Sequence, residues 1–188
     1  SLTVYVALPE MLKHVKHILE LDTEGLSFYF SYDTTFTLGD FYVTPLCFRN
    51  VLFEKSPVMP LAFMIHERKF QTLHEDFFTF LLRHIPFSKE SVINIVTDRE
   101  KGIVNAIKNV LPNAKILFCW NHIKRDFKFW LRTRGAAHDE IGVYCTDLDN
   151  LLHADSQEDF EMFYQELSGK WSEAAVSYFE SYLKADIE

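Results

Sequence analysis

Two short apolar runs that alternate with amphipathic stretches constrain the fold of this chain most strongly. The runs VINIVTD (92–98) and AKILF (114–118) have the β-branched, apolar composition of buried parallel strands. The stretch between them, EKGIVNAIKNVL, and the stretch after them, CWNHIKRDFKFWLR, repeat apolar residues at helical spacing. A strand, helix, strand order favours a right-handed crossover between parallel strands. The middle of the chain therefore predicts an α/β fold.

Three further strands are predicted upstream of this segment. LSFYFSYDTTF and FYVTPLCFRN are rich in aromatic and β-branched residues, and the turn sequence between them predicts a hairpin. Pro45, inside the second of these strands, favours an edge position or a bulge. PLAFMIH is the third strand, and a helical pattern that ends at Pro86 follows it. The sequence thus predicts a five-stranded mixed sheet, with three antiparallel strands and then two parallel ones, flanked by helices. In the simplest such sheet the fourth strand lies beside the first and parallel to it, which is the ribonuclease H-like arrangement.

Charge divides the chain unevenly. The net charge of −8, taken whole, speaks against nucleic acid as a partner. However, residues 136–188 carry two basic and thirteen acidic residues, whereas residues 1–135 carry seventeen basic and fourteen acidic ones. No strand pattern occurs after residue 135, where three helices are predicted. We therefore expect a helical lead-in at 1–25, a ribonuclease H-like core at 26–135 and an acidic helical extension at 136–188.

The composition excludes several classes of protein. Hydrophobic residues make up 48% of the 188 residues, which is too many for a disordered chain. No run of about 18 uncharged apolar residues is present to span a membrane, and no signal peptide opens the chain. Three cysteines are too few for a disulfide scaffold and indicate a reducing compartment. Because the chain does not begin with Met, we expect it to be a piece of a longer protein.

Two aspartates end strands that the predicted sheet places side by side. Asp33 ends the first strand and Asp98 ends the fourth. Neighbouring strands lie about 5 Å apart, so both carboxylates are expected at one edge of the sheet. Two close carboxylates repel each other unless a cation lies between them, and oxygen ligands of this kind suit Mg²⁺. Alternatively, Asp33 forms a side-chain turn, and Asp98 is a turn residue or a helix cap.

The segments that contain these aspartates resemble a known family. SYDTTFTLGDFYVTPLCF is similar to the first catalytic block of Mutator-like element (MULE) transposases. VINIVTDREKGIVNAIKNVLPNAKILFCWNHIKRDF resembles the second block, and QEDFEMFYQEL resembles a later helix of these proteins. The resemblance extends from about residue 26 to residue 168. It implies a DDE-type transposase core with a ribonuclease H-like fold.

The resemblance also implies the catalytic residues and their metal. The first two family acids correspond to Asp33 and Asp98, which agrees with the independent strand argument. The third acid lies on a helix after a helical insertion, where Glu161 is the best match, ahead of Glu158 and Glu140. These three acids would bind Mg²⁺ or Mn²⁺, with no small-molecule cofactor. The family further implies DNA as the partner and a nuclear location.

Cys119 and His122 match a Cys-x-x-His signature that the family carries after the fifth strand. The resemblance implies that the thiol and the imidazole shape a DNA pocket near the metal. Taken alone, the spacing is half of a zinc site, which Cys145 with His153 or His138 would have to complete. Packing at the junction between a strand and a helix is an equally good interpretation.

A basic row follows directly on the same predicted helix. Lys124, Lys128 and Arg132 are spaced by four residues and share one face, and Arg125 lies beside them. Such a row can neutralise DNA phosphates, although a solvated helix face without a partner fits the pattern as well. The aromatic residues of this region and of the helical pattern that ends at Pro86 are predicted to lie in the core, namely Phe70, Phe77, Phe78, Phe80, Phe129 and Trp130.

Three functions fit these observations. The first is a transposase that cleaves phosphodiester bonds at transposon ends and transfers the strand to target DNA. The second is a host-retained, transposase-derived protein that binds DNA or a partner without catalysis, which the acidic extension also suits. The third is an ordinary ribonuclease H or exonuclease, which usually has more acids near the first strands than Asp40 and Glu54 provide here. A homo-oligomer is compatible with the first two.

Overall fold

The fold is described from a computed structural model, which describes residues 2–21, 28–34, 36–85 and 93–187. The chain forms two compact units, Ser1–Leu117 and Phe118–Glu188. The strands are β1 (Thr3–Ala7), β2 (Tyr29–Tyr32), β3 (Phe36–Leu38), β4 (Phe41–Arg49), β5 (Val58–His66), β6 (Asn94–Thr97) and β7 (Lys115–Phe118). The helices are α1 (Pro9–Glu20), α2 (Gln71–His84), α3 (Lys101–Val110), α4 (Trp120–Thr133), α5 (His138–Leu152), α6 (Gln157–Ser168), α7 (Glu173–Tyr182) and the short α8 (Lys184–Ile187).

The strands form one mixed sheet in the order β1-β5-β4-β2-β6-β7, with β3 paired to β4. β4 pairs antiparallel with β2, β3 and β5, and β1 pairs antiparallel with β5. β2 pairs with β6 in parallel, which confirms that the first and fourth predicted strands are parallel neighbours. The mixed α/β class and the helical C-terminal part are likewise confirmed.

The sheet has seven strands, so the predicted number of five is wrong. β1 lies at the edge of the sheet and leaves Val4 40% and Val6 43% exposed, so it lacks the pattern of a buried strand. The sequence predicts β2 and β3 as one strand, but β2 ends at Tyr32 and β3 begins at Phe36. Gly39, in the turn between β3 and β4, has a φ of +61°, a conformation that a residue without Cβ adopts at little cost.

The first unit has its own hydrophobic core. Apolar residues of the sheet pack against α1, α2 and α3, whose buried faces follow the predicted helical spacing. Phe77, Phe78 and Phe80 lie in or against this core as predicted. Phe70 was also predicted there, but it precedes the first turn of α2 and is 58% exposed. Because Phe70 precedes the helix, the helical spacing that buries Phe77, Phe78 and Phe80 does not apply to it.

The second unit is entirely helical apart from the end of β7, and it also has its own core. Ile123, Phe127 and Leu131 of α4 pack with buried residues of α5, α6 and α7. Trp171 and Phe179 lie at the centre, with their rings in an edge-to-face contact at 5.4 Å. No helix in the described part of the chain is long and apolar enough to cross a bilayer.

Candidate active site

The two aspartates directly follow paired residues of two parallel strands. Tyr32 of β2 and Thr97 of β6 are register partners, and Asp33 and Asp98 are the next residues of each strand. Adjacent strands lie about 4.8 Å apart, so the backbone of both aspartates leaves the sheet at the same edge. Both side chains are half-buried. The register therefore places the backbone of the two residues as the sequence analysis predicted.

The Asp33 segment coincides with an interruption in the pairing of β4. β2 pairs with β4 only from Leu46 onward, and β3 pairs only up to Val43. Pro45, which has no N–H to donate, falls between these two ranges and pairs only with β5 among the described residues. A register shift between Leu46 and Cys47 marks a bulge. Pro45 itself keeps its register with Phe63, and the residue without a partner at the shift is Leu61 of β5. The edge position predicted from Pro45 is wrong because β4 lies between two strands.

Asp98 forms a turn with the residue two positions later. Its Oδ1 accepts a hydrogen bond of 2.9 Å from the backbone N–H of Glu100, which is an Asx turn. Glu100, not Asp98, occupies the N-cap position of α3, and that helix has no side-chain cap. The turn interpretation of Asp98 is thus confirmed, and the helix-cap interpretation is wrong. The turn engages one of the two carboxylate oxygens.

A buried chain of hydrogen bonds runs from Thr34 into the sheet. Thr34 Oγ1 lies 3.0 Å from Thr44 Oγ1, and Thr44 Oγ1 lies 2.8 Å from His66 Nε2. His66 Nδ1 in turn lies 2.6 Å from the carbonyl oxygen of Arg68. Thr44 and His66 are fully buried. Burial lowers the pKa of His66 below its ordinary value.

A second buried histidine lies beside this chain. His74 of α2 has its ring centroid 5.8 Å from that of His66, and its Nδ1 lies 2.8 Å from the hydroxyl of Tyr32. Its Nε2 has no hydrogen-bond partner among the residues that the structure describes. Burial, together with the nearby His66 and Lys69, lowers the pKa of His74 to about 4. His74 is therefore neutral at pH 7.

Glu100 is a second acid in the loop after β6. Its carboxylate lies 3.5 Å from Lys69 Nζ, which also lies 5.0 Å from the ring centroid of Tyr42. Neither Glu100 nor the two histidines are among the site residues predicted from the sequence. The position of Glu100 two residues after Asp98 could have indicated it. The histidines carry no such signal because their partners are distant in the sequence.

The expected third acid lies in the second unit. Glu161 of α6 forms an ion pair with Lys184, in which Nζ and Oε1 are 3.0 Å apart. Of the two weaker candidates, Glu140 accepts a hydrogen bond of 2.6 Å from the Tyr144 hydroxyl. Glu158 is exposed in the first turn of α6. The structure thus gives Glu161 and Glu140 structural partners within the second unit.

Cys119 and His122 lie at the start of α4 and are both half-buried. Cys119 occupies the N-cap position, and its carbonyl accepts the backbone N–H of His122 at 3.0 Å. Burial raises the pKa of the Cys145 thiol, which disfavours the thiolate that a zinc ligand requires. Within residues 2–21, 28–34, 36–85 and 93–187, no three His, Cys, Asp or Glu side chains are grouped closely enough to hold a metal ion.

The basic row lines an open depression on α4. Lys124 donates two hydrogen bonds, of 2.9 and 3.0 Å, to the Asp149 carboxylate, which also accepts the Trp120 indole N–H. The other three cations of the row are exposed and surround Phe129, namely Arg125, Lys128 and Arg132. Phe129 itself is 70% exposed, so its predicted place in the core is wrong. It lies outside the buried face set by the spacing of Ile123 and Phe127.

Comparison with known proteins identifies the family of this chain. A search of curated proteins found no match to the chain. The family model described as the MULE transposase domain matches residues 29–126, just over half of the chain. The matched segment begins with β2 and runs into α4, so it includes both aspartates, Cys119 and His122. The chain therefore belongs to the MULE transposase domain family.

Proposed function

We propose that this domain cleaves and rejoins phosphodiester bonds at transposon ends, with Asp33 and Asp98 holding Mg²⁺ or Mn²⁺. Membership of the family supports a transposase-type role in DNA processing. The observation that carries the finer proposal is the parallel register of β2 and β6, in which both aspartates directly follow the pair Tyr32 and Thr97. A nuclear location follows from the same function.

The chemistry of the two residues fits a divalent cation. Carboxylate oxygens are the ligands that Mg²⁺ prefers, and two neighbouring carboxylates are relieved of their repulsion when a cation binds. The hydrogen bond from Glu100 N–H engages Asp98 Oδ1 and holds that carboxylate in place. When bound, such a cation activates an attacking oxygen and stabilises the leaving oxygen of a phosphodiester.

The remaining residues bind and orient DNA in this proposal. Arg125, Lys128 and Arg132 contact backbone phosphates, which fix position without reading sequence. Cys119 and His122 shape the DNA pocket at the start of α4. Glu161 is the third acid of the proposed set, and within the second unit its carboxylate forms the ion pair with Lys184.

The test is nicking of supercoiled plasmid DNA by the full-length protein that contains this chain. We expect nicking in Mn²⁺ or Mg²⁺ that falls to background in Asp33→Asn and in Asp98→Asn. Asp40→Asn is the matched control, because it removes an exposed acid from the turn before β4 and should leave the rate unchanged. Urea denaturation must show that the variants fold. Equal nicking by all four proteins would overturn the proposal.

A host-retained domain without catalysis is the second candidate. It is favoured by the structural partners of the acids, since Asp98 accepts a turn hydrogen bond and Glu161 is paired with Lys184. This protein would bind DNA with the same affinity in the presence and absence of divalent cation and would nick no plasmid. Binding without nicking in the experiment above identifies it.

A further inference from the structure

We propose that Thr44 and His66 are positioning residues that hold the segment after β2, and with it Asp33, in place. The inference deepens the proposed function and rests on it for the role of Asp33 as a metal ligand. It starts from the hydrogen-bond chain that joins Thr34, the residue after Asp33, to Thr44, His66 and the carbonyl of Arg68.

The chemistry of the last acceptor sets the direction of every hydrogen bond in the chain. The Arg68 carbonyl can only accept, so His66 Nδ1 carries the proton and donates it. In the neutral ring Nε2 then accepts, and the Thr44 hydroxyl donates to it. Because the Thr44 hydrogen is used in this way, the Thr34 hydroxyl must donate to Thr44. These are the only donor and acceptor assignments with which all three hydrogen bonds can form.

The chain takes the place of backbone pairing at the point where pairing stops. β2 pairs with β4 from Leu46 onward, and among the described residues Thr44 and Pro45 form no pair with β2 or β3. The Thr34 and Thr44 hydroxyls therefore link the chain after β2 to β4 across this interruption. Thr44 and His66 are fully buried, and a buried polar group that loses its hydrogen-bond partner destabilises the fold. Both hydrogen bonds are therefore kept in the folded protein.

The sheet also supplies a matched control. Thr97, the residue before Asp98, is 1% exposed, and its hydroxyl has no hydrogen-bond partner among the described residues. Thr44→Val and Thr97→Val thus remove the same atom from equally buried threonines, each close to one aspartate. Only the first removes hydrogen bonds, one to Thr34 and one to His66. Thr44→Ser keeps that hydroxyl and should rescue the effect.

The experiment measures two quantities on the folded protein. The first is the backbone N–H order parameter of Thr34, from ¹⁵N relaxation without metal. We expect about 0.85 in wild type, Thr97→Val and Thr44→Ser, and a value below about 0.6 in Thr44→Val. The second is the affinity for Mn²⁺, which should fall about 10- to 100-fold in Thr44→Val only. A loss of this size is typical when a residue that orients a metal ligand is removed.

The two readouts separate this proposal from the proposed function. An unchanged order parameter at Thr34 in Thr44→Val would overturn the positioning role, whatever the metal affinity. Wild-type protein that binds no Mn²⁺ through Asp33 would overturn the proposed function, and the order parameter would still decide the positioning of the segment. If Thr44→Val does not fold, Thr34→Val breaks the same hydrogen bond at a half-buried residue and takes its place.

Discussion

At the scale of single residues, the buried His74 makes the stability of the first unit depend on pH. Its pKa of about 4 lies below the ordinary histidine value of 6.5, because the buried ring resists charge. Between these values the unfolded chain binds more protons than the folded one, so stability is complete above about pH 6.5 and is lost as the pH falls towards 4. We expect His74 to contribute about 3 kcal/mol to this loss. Urea denaturation at a series of pH values measures it.

The control for this prediction removes both partners of the buried hydrogen bond. Tyr32→Phe combined with His74→Phe leaves no unpaired polar group at this position, since the two side chains bond to each other. The double variant should lose less stability than wild type between pH 6.5 and 4. His66 titrates in the same direction and remains in both proteins, so the difference reports His74. Parallel pH profiles for the two proteins would contradict the prediction.

The sequence predicts that Asp33 and Asp98 end two neighbouring strands, but it does not predict the buried hydrogen bonds near them. Asp33 and Asp98 were placed because strand pairing follows from chain order and crossover handedness, which the hydrophobic pattern reveals. Thr44 and His66 are joined across two strands by a hydrogen bond between side chains, and no periodicity in the sequence encodes such a contact. The same holds for Tyr32 and His74, which are 42 residues apart.

At the scale of elements, the exposed face of α4 predicts how DNA binding depends on salt. Each phosphate contact by a cation changes the slope of log affinity against log salt by about 0.9 for duplex DNA. Lys128 is exposed in the depression, so Lys128→Gln should reduce the slope by about one. Fluorescence anisotropy with a labelled duplex at several salt concentrations measures this.

A second lysine of the same unit is the control for the salt dependence. Lys170 is exposed and pairs with Glu166 four residues earlier at 2.8 Å. Lys170→Gln removes the same charge outside the α4 depression and should leave the slope unchanged. Lys124→Gln should have less effect than Lys128→Gln, because Asp149 already holds its ammonium group. Equal slopes for wild type and Lys128→Gln would rule out phosphate contact by this face.

The helices were easier to predict than the strands. Each helix is encoded within about twelve consecutive residues by its apolar spacing, as the confirmed α1, α3 and α4 illustrate. The division of one apparent strand into β2 and β3 depends instead on the partner strand β4, whose Thr44 and Pro45 pair with neither of them among the described residues. A strand pattern read along one segment carries no information about its neighbour.

At the scale of the whole molecule, each unit has its own hydrophobic core. We therefore expect a mutation in one core to destabilise only the unit that contains it. Phe77 and Phe179 are fully buried phenylalanines, one in each cluster. Truncation of either to alanine should cost about 3–5 kcal/mol. In Phe179→Ala we expect faster hydrogen exchange of amides in α5, α6 and α7 and unchanged exchange in β2 and β6. Phe77→Ala should show the reverse.

Hydrogen exchange monitored by mass spectrometry distinguishes these outcomes in the intact chain. If both variants accelerate exchange equally in both units, the two cores do not behave independently.

The domain boundary predicted from the sequence lies after residue 135, where the net charge of the chain changes sign. The packing boundary at Leu117 and Phe118 follows a different property, the buried face of α4 that contacts α5, α6 and α7. Charge and burial are independent along a chain, so one does not reveal the other.

The interruption in the sheet beside Asp33 has a consequence for the metal site that we propose there, since ions of different radius need different positions of the carboxylate. A residue inside a continuous ladder can shift only if several backbone hydrogen bonds lengthen together. The chain after Tyr32 is joined to β4 through the hydroxyl of Thr34, whose side chain can rotate slightly while its bond persists. Small adjustments of this segment can therefore occur without distortion of the strands that carry the fold.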